Sequence, residues 1–151
     1  NPILLAACCI FTKVAFVKEI PSDPNYYFYG EELSLAMRAF TNGYSFFHIP
    51  DVPLFHLYTD TSDIPRKLHW DPEDDQKRAV KWTELDKKSL NRLDDLFADK
   101  VEEPLSLGKE RSLEDYALIS GIDLKNNLVL DIEKATESSF LESLDWKINP
   151  L

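Results

Sequence analysis

Several features that other classes of protein need are scarce in this chain. Only four of the 151 residues are glycine and they are scattered, so no glycine-rich phosphate loop is present. The longest apolar run, Ile3–Phe11, has nine residues, whereas a membrane-spanning helix needs about 20, so no span is expected. The only cysteines, Cys8 and Cys9, are adjacent, which suits neither a disulfide framework nor a metal site. This favours a reducing compartment, and we expect a cytoplasmic protein.

Basic residues are also in the minority. The chain has 17 Lys and Arg against 27 Asp and Glu, a net charge of −10, which argues against nucleic acid as a partner. Residues 1–65 hold 12 of the 18 aromatic residues but only 10 charged ones, whereas residues 66–151 hold 34 charged residues. We therefore predict a boundary near residue 65, with a buried core part before it and a mostly helical acidic extension after it.

The hydrophobic pattern predicts an α/β fold. From Glu31 onward, Leu33, Ala36, Met37 and Phe40 share one helical face, and Asn42-Gly43 supplies a helix stop. Further helices are predicted from Asp71, over Glu84–Ala98, from the capping box at Ser112 to Gly121, and over Ala135–Trp146. Strands are predicted at Ile3–Phe11, Val14–Val17, Tyr26–Tyr29, Tyr44–Ile49, Val52–Tyr58 and Leu128–Ile132.

The pair Glu31 and Glu32 is the first candidate for chemistry. Acidic residues at a helix start stabilise the helix through its dipole, and this is the more common reason for finding them there. The same position after a strand is also where open α/β sheets place their active sites. There a carboxylate could act as a general base on a hydroxyl group.

The second candidate is His56, which shares a predicted strand face with Leu54 and Tyr58. A lone histidine in an apolar strand is more often a hydrogen-bonded core residue than a metal ligand. No second histidine lies at ligand spacing from it. A metal at His56 would therefore need oxygen ligands from elsewhere in the protein.

Seven stretches of the chain, taken in order, resemble one enzyme family. They are Pro24–Arg38, Thr41–Tyr44, Phe55–Tyr58, Arg66, Trp70, Gly108–Tyr116 and Ser120–Asp123. The family is that of the hydroxyproline N-acetylglucosaminyltransferases, GT-A-type glycosyltransferases that use a UDP-sugar. The resemblance covers roughly residues 3 to 125. It implies transfer of N-acetylglucosamine from UDP-GlcNAc to a hydroxyl acceptor, with hydroxyproline on a protein as the acceptor residue.

The resemblance also implies roles for particular residues. Glu31 and Glu32 match the acidic position near the reacting groups, where polypeptide N-acetylgalactosaminyltransferases look similar too. His56 resembles the histidine that those enzymes use to bind a divalent metal, Mn²⁺ or Mg²⁺. The stretch from Asp60 to Trp70 would be the loop that closes over the nucleotide. Tyr29, Arg66 and Trp70 would then bind substrate, although a surface loop with two cations accounts equally well for Arg66 and Lys67.

One departure from the family limits the expected activity. GT-A enzymes usually hold their metal with an Asp-x-Asp motif, and none occurs in this chain. In the family this motif lies upstream, so the chain resembles the C-terminal part of the enzyme and is expected to be inactive alone. The rival hypothesis is a non-enzymatic acidic domain that binds a protein partner and lacks a donor site.

Overall fold

The computed structural model of the protein describes Leu5, residues 10–47 and residues 68–136. Within these residues the chain forms helices and one small antiparallel sheet, an arrangement compatible with an α/β class. The helices are α1 Val14–Glu19, α2 Glu31–Thr41, α3 Pro72–Gln76, α4 Trp82–Phe97, α5 Leu113–Ser120 and α6 Ile132–Thr136. The sheet pairs β1 Ile122–Asp123 with β2 Leu128–Val129.

Helix α2 lies at the centre of the described structure and confirms the periodicity argument. Its Ala36, Met37 and Phe40 are buried, and Leu33 packs at the margin of the same cluster. The helix ends at Thr41, and Gly43 then adopts the left-handed conformation with a φ of 87°. These side chains therefore define the face onto which the later helices pack.

The main core joins α2 to residues from the second half of the chain. Leu96 and Phe97 come from the end of α4, Val101 from the loop after it, and Tyr116 from α5. The rings of Phe40 and Tyr116 meet edge to face with centroids 5.6 Å apart. The described part of the acidic half thus packs directly on α2, while the proposed boundary near residue 65 stays a prediction.

The helices predicted after Asp71, over Glu84–Ala98 and from Ser112 are confirmed. At the start of α5, the Asp115 N–H donates to the Ser112 hydroxyl at 3.0 Å, and the Ser112 N–H donates to the Asp115 carboxylate at 2.7 Å. These bonds hold the pKa of Asp115 below its usual value. Gly121 ends the helix with a φ of 71°.

The prediction of a strand at Val14–Val17 is wrong, because these residues lie in helix α1. Only Phe16 of this segment is buried, and its ring packs edge to face on Tyr44 with a centroid distance of 5.1 Å. The Tyr44 hydroxyl donates to the Glu19 carboxylate, which raises the pKa of Tyr44 to about 12. The segment is too short to show a period, and its contacts through Phe16 and Glu19 tie it to Tyr44.

Two more strand predictions fail in part. Of the strand predicted at Tyr44–Ile49, residues 44–47 form no strand and the last two residues lie outside the described ranges. At the start of this segment the Arg111 guanidinium donates to the carbonyls of Gly43 and Tyr44. Of Leu128–Ile132, only Leu128 and Val129 pair with β1, and Ile132 already begins α6. The predictions at Val52–Tyr58 and most of those at Ile3–Phe11 and Ala135–Trp146 lie outside the described residues.

Candidate functional site

The residues just before α2 form a tight aromatic turn rather than the predicted strand. Tyr27 and Tyr29 make an isolated antiparallel bridge to each other, with Phe28 at the tip. Phe28 has a φ of 58°, a left-handed conformation that bulky side chains rarely adopt. Such a residue costs about 1–3 kcal/mol of strain and persists only where its surroundings enforce it. The left-handed conformation at position 28 could not be predicted from the sequence, because only a glycine or an asparagine there would have suggested it.

Gly30 links this turn to the first residue of α2. Its φ is 84°, and a Cβ atom there would lie 3.2 Å from the ring of Tyr26. A larger residue would therefore be strained and would press on that ring. Directly after Gly30, Glu31 is half-buried and Glu32 is exposed.

Two segments that are distant in sequence meet at the aromatic turn. The Phe28 ring lies 5.1 Å from both Tyr29 and Trp70, and 5.2 Å from His69, measured between centroids. The Tyr27 hydroxyl is hydrogen-bonded to Nδ1 of His69. We call Tyr27, Phe28, Tyr29, His69 and Trp70 the aromatic cluster. It brings the predicted substrate residues Tyr29 and Trp70 to one place, beside the start of α2.

Helix α4 anchors the aromatic turn from behind. The Tyr27 N–H donates to the fully buried Ser89 hydroxyl at 2.6 Å, and this hydroxyl lies 3.3 Å from the Tyr27 carbonyl oxygen. Sequence reasoning missed Ser89, because a serine in an amphipathic helix gives no sign of a partner 62 positions away. A buried hydroxyl that meets both polar groups of one residue fixes the position of that residue.

An ion pair between Asp23 and Arg92 holds the preceding turn to the same helix. Arg92 Nε lies 2.9 Å from a carboxylate oxygen of Asp23, whose side chain is 2% exposed. The other oxygen accepts from the backbone and side-chain nitrogens of Asn25 at 2.9 and 2.7 Å. Burial would raise the pKa of Asp23, but these hydrogen bonds and the Arg92 charge outweigh burial and lower it.

The lowered pKa of Asp23 predicts how stability responds to acid. A carboxyl group with a depressed folded-state pKa stabilises the fold above its unfolded pKa, near 3.9, and loses this contribution as pH falls through the folded value. Asp23→Asn should lower the free energy of unfolding at pH 7 by about 1.5–3 kcal/mol. Urea unfolding between pH 7 and pH 3 should show a shallower acid loss in this variant than in the wild type. An equally steep loss would contradict the assignment.

Arg38 connects α2 to the loops on either side of it. The side chain is 1% exposed, and its guanidinium donates to the carbonyl oxygens of Pro21 at 2.7 Å and Pro104 at 2.9 Å. Burial lowers the pKa of Arg38, and the nearby Asp23 charge partly compensates. The buried cation thus joins the turn that carries Asp23 to the loop after α4.

The far end of α2 is clamped by the segment 108–111. The Gly108 N–H donates to the Thr41 hydroxyl at 2.7 Å, and the N–H groups of Glu110 and Arg111 donate to the Thr41 carbonyl. The Arg111 guanidinium also lies 5.0 Å from the centre of the Phe40 ring. The stretch Gly108–Tyr116, which formed part of the resemblance, therefore caps α2 and begins α5.

The other predicted site residues lie in different parts of the chain. Glu31 and Glu32 begin α2 next to the aromatic cluster, whereas His56 and Arg66 lie outside the described residues. Across Leu5, 10–47 and 68–136, no three His, Cys, Asp or Glu side chains cluster in a way that could hold a metal ion. The roles of all these residues stay predictions.

The comparison with known protein families decides the class of the chain. The family model described as Glycosyltransferase (GlcNAc) matches residues 2–125. The chain belongs to this glycosyltransferase family. Neither the curated proteins nor the solved structures contain a significant match.

The region shared with the Glycosyltransferase (GlcNAc) family contains the candidate site and the contacts that hold it, whereas β2 and α6 lie after its end. It includes the aromatic cluster, α2, the Ser89 anchor and the clamp at residues 108–111, and it ends two residues after β1. The chain is therefore related to transferases that act on a sugar donor and an acceptor. In the described ranges, no helix combines the length and the apolar character needed to cross a membrane.

Proposed function

We propose that the protein transfers N-acetylglucosamine from UDP-GlcNAc to a hydroxyl group, with hydroxyproline on a protein as the acceptor residue. The supporting observation is the family match over residues 2–125, which includes Glu31 and Glu32 beside the aromatic cluster. A GT-A fold for the catalytic part and a cytoplasmic location belong to the same proposal.

The chemistry that we propose for α2 is general-base catalysis. One carboxylate of the pair Glu31 and Glu32 accepts the proton of the acceptor hydroxyl. The oxygen then forms a bond to the anomeric carbon of the sugar, while the bond from that carbon to the UDP oxygen breaks and UDP leaves. Adjacent helical residues point about 100° apart, so only one of the two carboxylates can face the hydroxyl.

The metal dependence of the reaction is proposed on the sequence alone. His56 would contribute one imidazole ligand, and a bound divalent cation would neutralise the charge of the leaving diphosphate. The described residues supply no ligand cluster, and hard cations need several oxygen ligands.

Replacing His56 by Ala should raise the Mn²⁺ concentration needed for half-maximal activity by about tenfold or more. The reason is the loss of one ligand from the coordination sphere. Calorimetric titration of Mn²⁺ into the full-length protein measures the same loss without turnover. His48→Ala serves as the matched control, and it should leave Mn²⁺ binding unchanged. Equal Mn²⁺ affinity in wild type and His56→Ala would refute the ligand assignment.

A second candidate function is an acidic protein-interaction domain, favoured by the charge of the extension. Residues 66–151 contain 14 basic and 20 acidic residues, a net charge of −6. Release of UDP from UDP-GlcNAc by the full-length protein, measured with and without Mn²⁺, separates the two functions. Metal-dependent release supports the transferase, and its complete absence would favour the interaction domain.

A further inference from the structure

We propose that Phe28 is a sugar-binding residue, whose exposed ring stacks on the N-acetylglucosaminyl ring of the donor. The proposal rests on the proposed function and assigns a substrate part to the aromatic cluster. The Phe28 ring lies at the tip of the turn, 53% exposed, two residues before Gly30 and next to Trp70. Tyr29 beside it is 55% exposed, so the cluster presents aromatic surface to the solvent.

The backbone of Phe28 is strained at the position where its ring reaches the surface. A left-handed φ of 58° would suit glycine or asparagine better than phenylalanine. The turn is enforced by other groups, since the bridge between Tyr27 and Tyr29 and the Ser89 hydroxyl hold it on both sides. The ring contacts Tyr29, His69 and Trp70 on one side, yet 53% of the residue stays exposed, and a strained residue with a partly exposed ring is typical of a binding surface.

The chemistry around the ring favours a neutral sugar. A pyranose has faces of C–H groups that an aromatic ring can cover, and a rim of hydroxyls that carboxylates can accept from. Carboxylates flank the cluster in sequence on both sides, Glu31 and Glu32 after the turn and Asp71 after Trp70. A phenylalanine ring offers a phosphate neither charge nor a hydrogen-bond donor, so we assign the sugar ring and not the diphosphate to Phe28.

The test compares the affinities of UDP-GlcNAc and of UDP for the full-length protein, measured by calorimetry. Phe28→Asn keeps a residue that tolerates the left-handed conformation and removes the ring. We expect UDP-GlcNAc to bind about tenfold more weakly, which corresponds to about 1.4 kcal/mol, while the affinity for UDP stays unchanged. Phe28→Trp keeps an aromatic ring at this position, so it should bind UDP-GlcNAc about as tightly as the wild type does.

Two controls separate binding from folding. Phe11→Asn makes the same exchange at a phenylalanine that is 96% exposed and outside the cluster, and it should change neither affinity. The melting temperature of Phe28→Asn is measured beside the affinities, because the exchange relieves backbone strain but also removes the ring contacts with Tyr29, His69 and Trp70. An equal loss of affinity for UDP and for UDP-GlcNAc in Phe28→Asn would show that the ring only shapes the site and would overturn the proposal.

The outcomes also distinguish this inference from the proposed function. Unchanged UDP-GlcNAc affinity in Phe28→Asn overturns the inference, and continued UDP release by the wild type leaves the transferase function intact. The inference is also overturned if the wild type binds UDP-GlcNAc no more tightly than UDP. Loss of sugar-dependent affinity in Phe28→Asn, in a protein that never releases UDP, supports the sugar site and refutes the transferase function.

Discussion

Exchange of one glutamate of the pair Glu31 and Glu32 for glutamine is expected to slow sugar transfer by about 100-fold or more. The exchange keeps the size of the side chain and removes the base that takes the proton of the acceptor hydroxyl. The rate is measured as UDP release by the full-length protein at saturating acceptor and donor. Because only one carboxylate can face the hydroxyl, the other variant is the matched control.

Stability must be measured beside rate, because both acids also lie at the start of α2. Each contributes about 0.3–1 kcal/mol through the helix dipole. For a chain of this size, a loss of 1 kcal/mol lowers the melting temperature by about 2–4 °C. If the loss of folded protein accounts for the whole fall in rate in both variants, the pair only caps the helix and has no catalytic role.

Gly108→Ala should strongly destabilise the protein. An added Cβ would lie 2.6 Å from three atoms at the end of α2, namely the backbone nitrogen and side-chain Cγ of Asn42 and the carbonyl carbon of Thr41. Two of these are backbone atoms, so the clash cannot be relieved by rotating a side chain. We expect a loss of about 3 kcal/mol in the free energy of unfolding, measured with urea.

The neighbouring residue provides the control for Gly108. Lys109→Ala alters an exposed side chain in the same segment and should change stability by less than about 0.5 kcal/mol. Equal stabilities of Gly108→Ala and Lys109→Ala would show that the segment 108–111 can move away from α2. In that case the hydrogen bond from Gly108 to Thr41 would not constitute a clamp.

The parts of the fold that follow local rules could be predicted from the sequence. The apolar spacing of Leu33, Ala36, Met37 and Phe40 defined α2, and the capping box at Ser112 defined the start of α5. In both cases the signal is complete within a few residues. The strand predicted at Tyr26–Tyr29 is wrong, because Phe28 adopts a conformation that its own side chain disfavours.

The anchors of the candidate site could not be predicted, because their partners are far apart in sequence. Ser89 meets Tyr27 across 62 positions, and Arg92 meets Asp23 across 69. Each of these polar residues lies in a charged amphipathic helix, where the expected surroundings are water. Phe28 and Trp70 are also far apart in sequence, so their contact becomes visible only in the structure.

The clamp at residues 108–111 has a consequence for synthesis on the ribosome. Arg111 follows Thr41 by 70 positions, so at about 5–20 residues per second the clamp is translated roughly 4–14 s after α2. Tyr116 of α5 is missing throughout this interval, and Leu96 and Phe97 of α4 are missing for most of it, so Ala36, Met37 and Phe40 lack their partners. The nascent chain therefore presents an uncovered apolar helix face for seconds, which is the kind of surface that chaperones bind.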